Sequence, residues 1–204
     1  MIQLYTLPPS GNAQKVRMAL CFLDLPFEEM SLAGGGQKTP AFQAINPLGQ
    51  VPVLVDGATT LRDSGAILVY LAAAYRPGEW DGHDAGERGR IAQWLMFAAG
   101  EIAGGPVRLR AKALFGATID DAAATVLTGQ VLDLVEAQLA ERNWLEGERL
   151  TIADLAVAPY LALSPQGGVD LDPFPNIRAW LERIVARPGF PAMPGWAGST
   201  ALAS

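Results

Sequence analysis

Residues 49–55 read Gly49-Gln50-Val51-Pro52-Val53-Leu54-Val55, a short apolar run that would pass for a buried strand but for the proline at its entrance. Proline cannot donate to a strand ladder, so it is tolerated only at an edge, a first position or a bulge. Two readings are open. In one, Pro52 starts an edge strand through an ordinary trans bond. In the other, the Val51–Pro52 bond is cis, a form that X-Pro bonds adopt far more readily than other peptide bonds. The N–H and C=O of Val51 would then face outward, where an extended peptide ligand could pair with them as an added strand.

The surroundings of this stretch predict a small α/β unit. Upstream, Ile2 to Thr6 is strand-like, and Gly11 to Leu23 carries Val16, Ala19, Leu20 and Leu23 at helical spacing. Phe27 to Ser31 is strand-like again, so a parallel pair with a crossover helix follows. After a glycine-rich loop at 34–36, Thr39-Pro40 offers a cap and a first-turn proline for a short helix ending near Ile45. Downstream, Val53 to Val55 and Thr59 to Leu61 flank Asp56-Gly57, which predicts a hairpin turning on that dipeptide. A third helix starts at Asp63-Ser64 and runs to Tyr75. Arg76-Pro77-Gly78 closes the unit, and residues 79–88 read as a polar linker.

Beyond the linker the pattern is helical throughout, over 90–103, 120–145, 151–163 and 176–188, each rich in Ala and Leu or ended by Gly or Pro. Thr151 and Asp154 fit a capping box, and Asn176 stands where it would cap the last helix. The expected organisation is therefore an α/β domain over residues 1–76 and an all-α helical domain over 87–204.

Bulk properties narrow the function. Of 204 residues half are apolar, enough for a sizeable core. A net charge of −6 argues against nucleic acid and against anionic membrane surfaces as partners. The longest apolar run, GAILVYLAAAY, is roughly half the ~20 residues a membrane span needs. Met1 leads straight into a strand with no basic or cleavable leader, so the expected location is cytoplasmic. A single cysteine and a single histidine leave no internal disulfide and no nitrogen/sulfur zinc site within a monomer.

Chemistry has three candidate sources, which could converge on one side of the sheet. Ser10 follows Pro8-Pro9 at the start of the first helix; Val51 offers a backbone edge; Asp63-Ser64 begins a helix whose free N–H groups and positive dipole end suit a carboxylate. Ser10 alone reads first as a helix cap.

The ordered set of Tyr5 to Val16 (YTLPPSGNAQKV), Asn46 to Leu54 (NPLGQVPVL), Asp63 to Ile67 with Tyr70-Leu71, the 151–154 box and Phe174 to Phe190 resembles the glutathione transferase family. The resemblance covers essentially the entire chain. It implies a thioredoxin-like α/β N-terminal domain followed by an all-α C-terminal domain, and glutathione as co-substrate with no metal. By resemblance, Pro52 is the cis proline and Val51 pairs with the cysteinyl part of glutathione. Asp63 and Ser64 hold the γ-glutamyl end with Gln50 close by, and Lys38 meets the glycine carboxylate. Ser10 falls where serine-type members place the hydroxyl donor to the sulfur, with Asn12 as the rival donor. A thiol of pKa ~8.5 is only a few per cent ionised at neutral pH, and lowering it by ~2 units takes about 2.7 kcal/mol of anion stabilisation. A hydroxyl donor plus a helix N-terminus can supply that.

The resemblance also implies a second pocket for a small electrophile between the domains. Trp94, Phe97, Glu101 and Arg108 lie on the segment expected to face it. The tail from Pro191 to Ser204 either drapes over that pocket or stays unstructured. A homodimer is implied, pairing the first domain of one subunit with the helical domain of the other. The leading reading is conjugation of glutathione to small electrophiles. A glutathione-dependent peroxidase, isomerase or dehalogenase is the first alternative, and a non-catalytic binding or regulatory module the second. Position 10 is not cysteine, which removes the attacking thiol of glutaredoxin-like exchange, and Tyr5 is not evidently placed as a tyrosine-type donor. Cys21 reads as a buried inert thiol, His83 as a solvated side chain, and the five tryptophans as core.

Overall fold

The computed structural model describes residues 1–196. Strand β1 (Ile2–Thr6), helix α1 (Gly11–Phe22) and strand β2 (Phe27–Ser31) form the expected crossover unit, with β1 and β2 parallel from Ile2↔Phe27 to Thr6↔Ser31. Arg17 on α1 clamps this unit through Glu29 on β2, with N···O distances of 2.6 and 2.9 Å. The glycine-rich stretch is not a plain loop but a kinked pair of 3₁₀ turns over Ala33–Lys38. Helix α2 (Pro40–Ile45) follows, its first turn capped by Thr39. Strands β3 (Val53–Asp56) and β4 (Thr59–Arg62) run antiparallel and complete a sheet of order β2-β1-β3-β4.

The hairpin turns one residue later than the Asp56-Gly57 reading. Asp56 still pairs with Thr59, so Gly57-Ala58 make the turn, and glycine supplies the positive φ of 58°. Asp56 is used elsewhere: its Oδ2 accepts from the Tyr70 and Tyr75 hydroxyls at 2.9 and 2.5 Å, pinning helix α3 (Ser64–Tyr75) to the sheet. The Tyr75 hydroxyl is pushed up to about 12 by that hydrogen bond.

The helical unit comprises α4 (Ala85–Phe97), a π turn at Ala98–Ile102, α5 (Pro106–Phe115), α6 (Asp121–Leu139), α7 (Ile152–Ala162) and α8 (Pro175–Val185). Helix α4 begins inside the presumed linker, where Asp84 accepts from the Glu87 N–H at 2.8 Å. The sequence pattern does not mark helix α5, because Gly104-Gly105-Pro106 breaks it and the helix's basic residues blur the apolar stripe. Helix α6 stops at Leu139, and Trp144 and Leu145 are buried from a loop instead of from a helix.

Every residue of α7 is buried, and α1 and α3 from the sheet unit pack against it, so one apolar core runs through both units. All five tryptophans join that core, as read from the sequence. The box at the start of α7 forms and extends further. Asp154 Oδ2 accepts from the Thr151 N–H at 2.9 Å, and Oδ1 accepts from the Leu145 N–H and the Trp180 indole N–H, both at 3.0 Å. Burial pushes this carboxyl up to about 6 against those three donors. Asn176 does not cap α8; it is the second residue of the helix. The capping acceptor is Glu136 of α6, whose carboxylate takes the N–H groups of Asn176 and Ile177 at 3.0 and 2.9 Å. A carboxylate from a neighbouring helix outcompetes a local amide because it is charged and matches the positive dipole end.

Among the described residues no helix is long and apolar enough to cross a membrane, and no three His, Cys, Asp or Glu side chains are grouped to hold a metal ion.

Candidate functional site

The starts of α1 and α3 and the entrance to β3 meet at one edge of the sheet. The Val51–Pro52 bond there is cis. Val51 lies outside the ladder, since pairing of β3 with β1 begins at Val53↔Tyr5. The loop before it is braced by Asn46, which is 1 % exposed. Its Nδ2 donates to the Gln50 carbonyl at 2.7 Å and its Oδ1 accepts from the Leu48 N–H at 3.1 Å, an Asx turn that fixes Gln50 and Val51 in place.

A shallow cavity of about 90 Å³ opens at this junction. Of the residues singled out in the sequence, Asn12, Gln50, Val51, Pro52, Asp63 and Ser64 line it. Asn46, Leu48 and Arg62 also line it, and were not singled out as site residues. The Asn-Pro dipeptide is the signal that could have marked Asn46. Arg62 ends β4 immediately before the predicted helix start. The Ser64 hydroxyl donates to Asn12 Oδ1 at 3.3 Å, which joins the two helix starts and does not use the Asn12 NH₂ group. Asp63, at φ 72°, caps α3 with Oδ1 accepting from the Gly65 and Ala66 N–H groups at 2.9 and 3.2 Å.

Ser10 is placed differently from Asn12. It is the N-cap of α1, its Oγ accepts from the Ala13 N–H at 3.1 Å, and it does not line this cavity. Lys38 is exposed at the end of the 3₁₀ turns and does not line it either. Cys21 is half-buried, less enclosed than expected, and burial pushes its thiol up, away from reactivity. His83 is exposed. Tyr5 packs on Phe42 at 5.6 Å between ring centroids and takes no part in the cavity.

The four residues expected to face a second pocket between the domains do not share one. Trp94, Phe97 and Glu101 line a separate groove of about 890 Å³ between α4 and α6, with Leu134, Gln138 and Arg142 opposite. Arg108 is exposed on α5 and lines neither. The residue of that segment that does reach the first domain is Arg110, donating to the Pro9 carbonyl at 3.0 Å and to Gln166 Oε1 at 2.7 Å. Two residues along a helix is a turn of roughly 200°, so Arg108 and Arg110 face opposite ways. Of the tail, residues 191–196 are described: the Pro191 carbonyl accepts from Gln14 Nε2 at 2.7 Å, which seats this part on α1. The remainder of the tail lies outside the described residues.

At the seam between the two units, Tyr160 of α7 stands against α1. Its ring carbons Cε1 and Cζ are 2.8 Å from where a Cβ on residue 11 would be, so only glycine fits there, and its hydroxyl oxygen faces the Asn12 backbone N–H. Lys15 and Arg110, both buried, flank this tyrosine.

Comparison with known proteins agrees across the chain. Residues 4–80 match the model of the glutathione S-transferase N-terminal domain and residues 116–188 that of the glutathione S-transferase C-terminal domain. Glutathione S-transferase 3 of Zea mays is 34% identical over 203 residues, covering 93% of this chain and 91% of its own. The disulfide-bond oxidoreductase YfcG of Escherichia coli K12 is 32% identical over 201 residues, covering 92% of each. A solved glutathione transferase family member from Pseudomonas fluorescens Pf-5, with two glutathione bound, superposes with a TM-score of 0.80 at 30% identity, covering 93% of this chain and 90% of its own.

Proposed function

The chain belongs to the glutathione transferase family, and from that premise we propose that it binds glutathione as the thiolate and conjugates it to small hydrophobic electrophiles. The observation that carries this reading is the joint cavity at the starts of α1 and α3, where Asn12, Val51, Asp63 and Ser64 converge. In it, the Val51 backbone pairs with the cysteinyl residue, and Ser64 with the N–H groups beginning α3 takes the γ-glutamyl carboxylate. The carboxylate of Asp63 receives the γ-glutamyl ammonium. Gln50 lies alongside, and Arg62 replaces Lys38 as the cation for the glycine carboxylate, because Arg62 lines the cavity and Lys38 does not.

For the sulfur we rank Asn12 ahead of Ser10, reversing the order that the sequence suggested. Asn12 lines the cavity and its bond to Ser64 uses only the carboxamide oxygen, whereas Ser10 does not line it and its oxygen serves the first turn of α1. The thiol proton leaves to solvent, and the thiolate attacks the electrophile, expelling its leaving group or adding to its double bond. A second reading, reduction of disulfides with glutathione supplying the thiols, is favoured by the YfcG likeness. It suits a chain whose single cysteine is remote from the cavity.

We place the protein in the cytoplasm, in a detoxifying role, as a homodimer. The exposed Met96 and Leu134 beside the α4–α6 groove and Val69 on α3 supply apolar surface for the subunit contact. A sedimentation mass of one subunit would remove the dimer.

Calorimetric titration with glutathione tests the binding, and turnover of a chlorinated nitroarene against turnover of a model disulfide separates the two chemistries. Asn12→Ala is expected to raise the pKa of the bound thiol by at least one unit, about tenfold in thiolate population. Ser10→Ala is expected to cost about 1 kcal/mol of stability and leave that pKa in place. The reverse pattern would restore Ser10 as the donor.

A further inference from the structure

The buried positive charge at the seam has no carboxylate bound to it. Lys15 is 4 % exposed, and a lysine so enclosed is ordinarily paired. Among the described residues it makes no ion pair. Its ammonium lies over the Tyr160 ring, 5.1 Å from the centroid. That ring fixes where the charge is. The same ring abuts Gly11, and a long helical side chain leans back over the turn before it, so the Lys15 ammonium sits beside the first turn of α1.

The groups facing it are few. Asp63 at the cap of α3 acts on it through space, Tyr160 faces it from α7, and Arg110 of α5 acts on the same tyrosine. Arg110 is itself buried and bonded to the neutral oxygens of Pro9 and Gln166. Two buried cations thus stand at the start of α1 against one carboxylate, and that carboxylate lines the cavity.

Resting on the function proposed above, we propose that Lys15 supplies the positive charge that holds the sulfur of bound glutathione as a thiolate, acting across the first turn of α1 and not by contact. Glutathione bound as thiolate carries a net charge of about −2, with both carboxylates, the thiolate and the ammonium ionised. Asp63 and Arg62 at the cavity cancel one another, so compensation must come from the helix starts and from charge beneath the floor. Across a medium of effective dielectric ~20, a unit charge as far as ~12 Å away still moves a thiol by about one pKa unit. Burial lowers the Lys15 pKa to about 8, with Asp63 opposing, so the cation persists at neutral pH. Lys15 keeps its proton; it is a charge, not a base.

The test uses full-length protein and two ligands, glutathione and S-methylglutathione, the second with no thiol to ionise. Lys15→Met is expected to raise the bound thiol pKa, read by ultraviolet thiolate absorbance, by about one unit, and to weaken glutathione several-fold at pH 7. Binding of S-methylglutathione should stay within about twofold, and Lys15→Arg should restore the wild-type thiol pKa. Lys15→Gln should behave as Lys15→Met and is the variant to read if the methionine variant does not fold. An unchanged thiol pKa in the neutral variants, or equal loss of both ligands, would overturn the inference while leaving the function standing. Wild-type protein that binds neither ligand would overturn the function and this inference with it.

Discussion

Asp154 and Lys15 are both buried ionisable groups on helices that pack against each other, and the protein treats them oppositely. Asp154 is saturated: three N–H donors from Thr151, Leu145 and Trp180 converge on it and tie a loop, a helix start and α8 together. Lys15 is left with an aromatic face and a carboxylate acting through space. A charge surrounded by fixed donors organises structure. A charge left without a bonded counter-ion costs stability in the free protein.

The largest effect should come from the saturated group. Asp154→Ala strands three buried donors and is expected to cost about 3–5 kcal/mol in urea unfolding. Because burial raises this carboxyl above its unfolded value, its contribution is full below about pH 4 and is lost as pH rises through about 6, so the penalty should be smaller at pH 7 than at pH 4. A loss below 1 kcal/mol would put Asp154 on the same footing as an ordinary helix cap.

Lys15→Met should act in the other direction. The folded-state pKa is depressed from 10.5 to about 8, so the lysine's contribution is present above pH 10.5 and lost as pH falls through 8. The variant is therefore expected to be more stable than wild type at pH 7 by about 2–3 kcal/mol, with the gain fading between pH 8 and 10.5. Destabilisation at pH 7 would mean that the ammonium is paired after all, and the comparison would collapse. Gly11→Ala is the smallest of the three. A methyl 2.8 Å from the Tyr160 ring should cost about 1–3 kcal/mol by overpacking and push the seam apart, read as a lowered melting temperature. No change would show the seam to be loose.

The sequence made the sheet unit readable because its signals are local: a proline before three β-branched or leucine residues, a Thr-Pro cap, an Asp-Ser helix start. The box at 151–154 was legible for the same reason. What escaped depends on which elements become neighbours. Asn176 reads as a cap until Glu136 arrives from α6, and Arg108 and Arg110 differ only by helix phase. Lys15 is marked by no local pattern, and its burial comes with the packing of α7 against α1. Ser10 ranks ahead of Asn12 in the sequence, and the contact of Asn12 with Ser64, from a helix start 52 residues away, has no local signal.

The most direct measurement is the pH titration of thiolate absorbance for glutathione bound to wild-type protein. The account predicts a bound thiol pKa about 2 units below the free value of ~8.5. A bound thiol that titrates with free glutathione would contradict it.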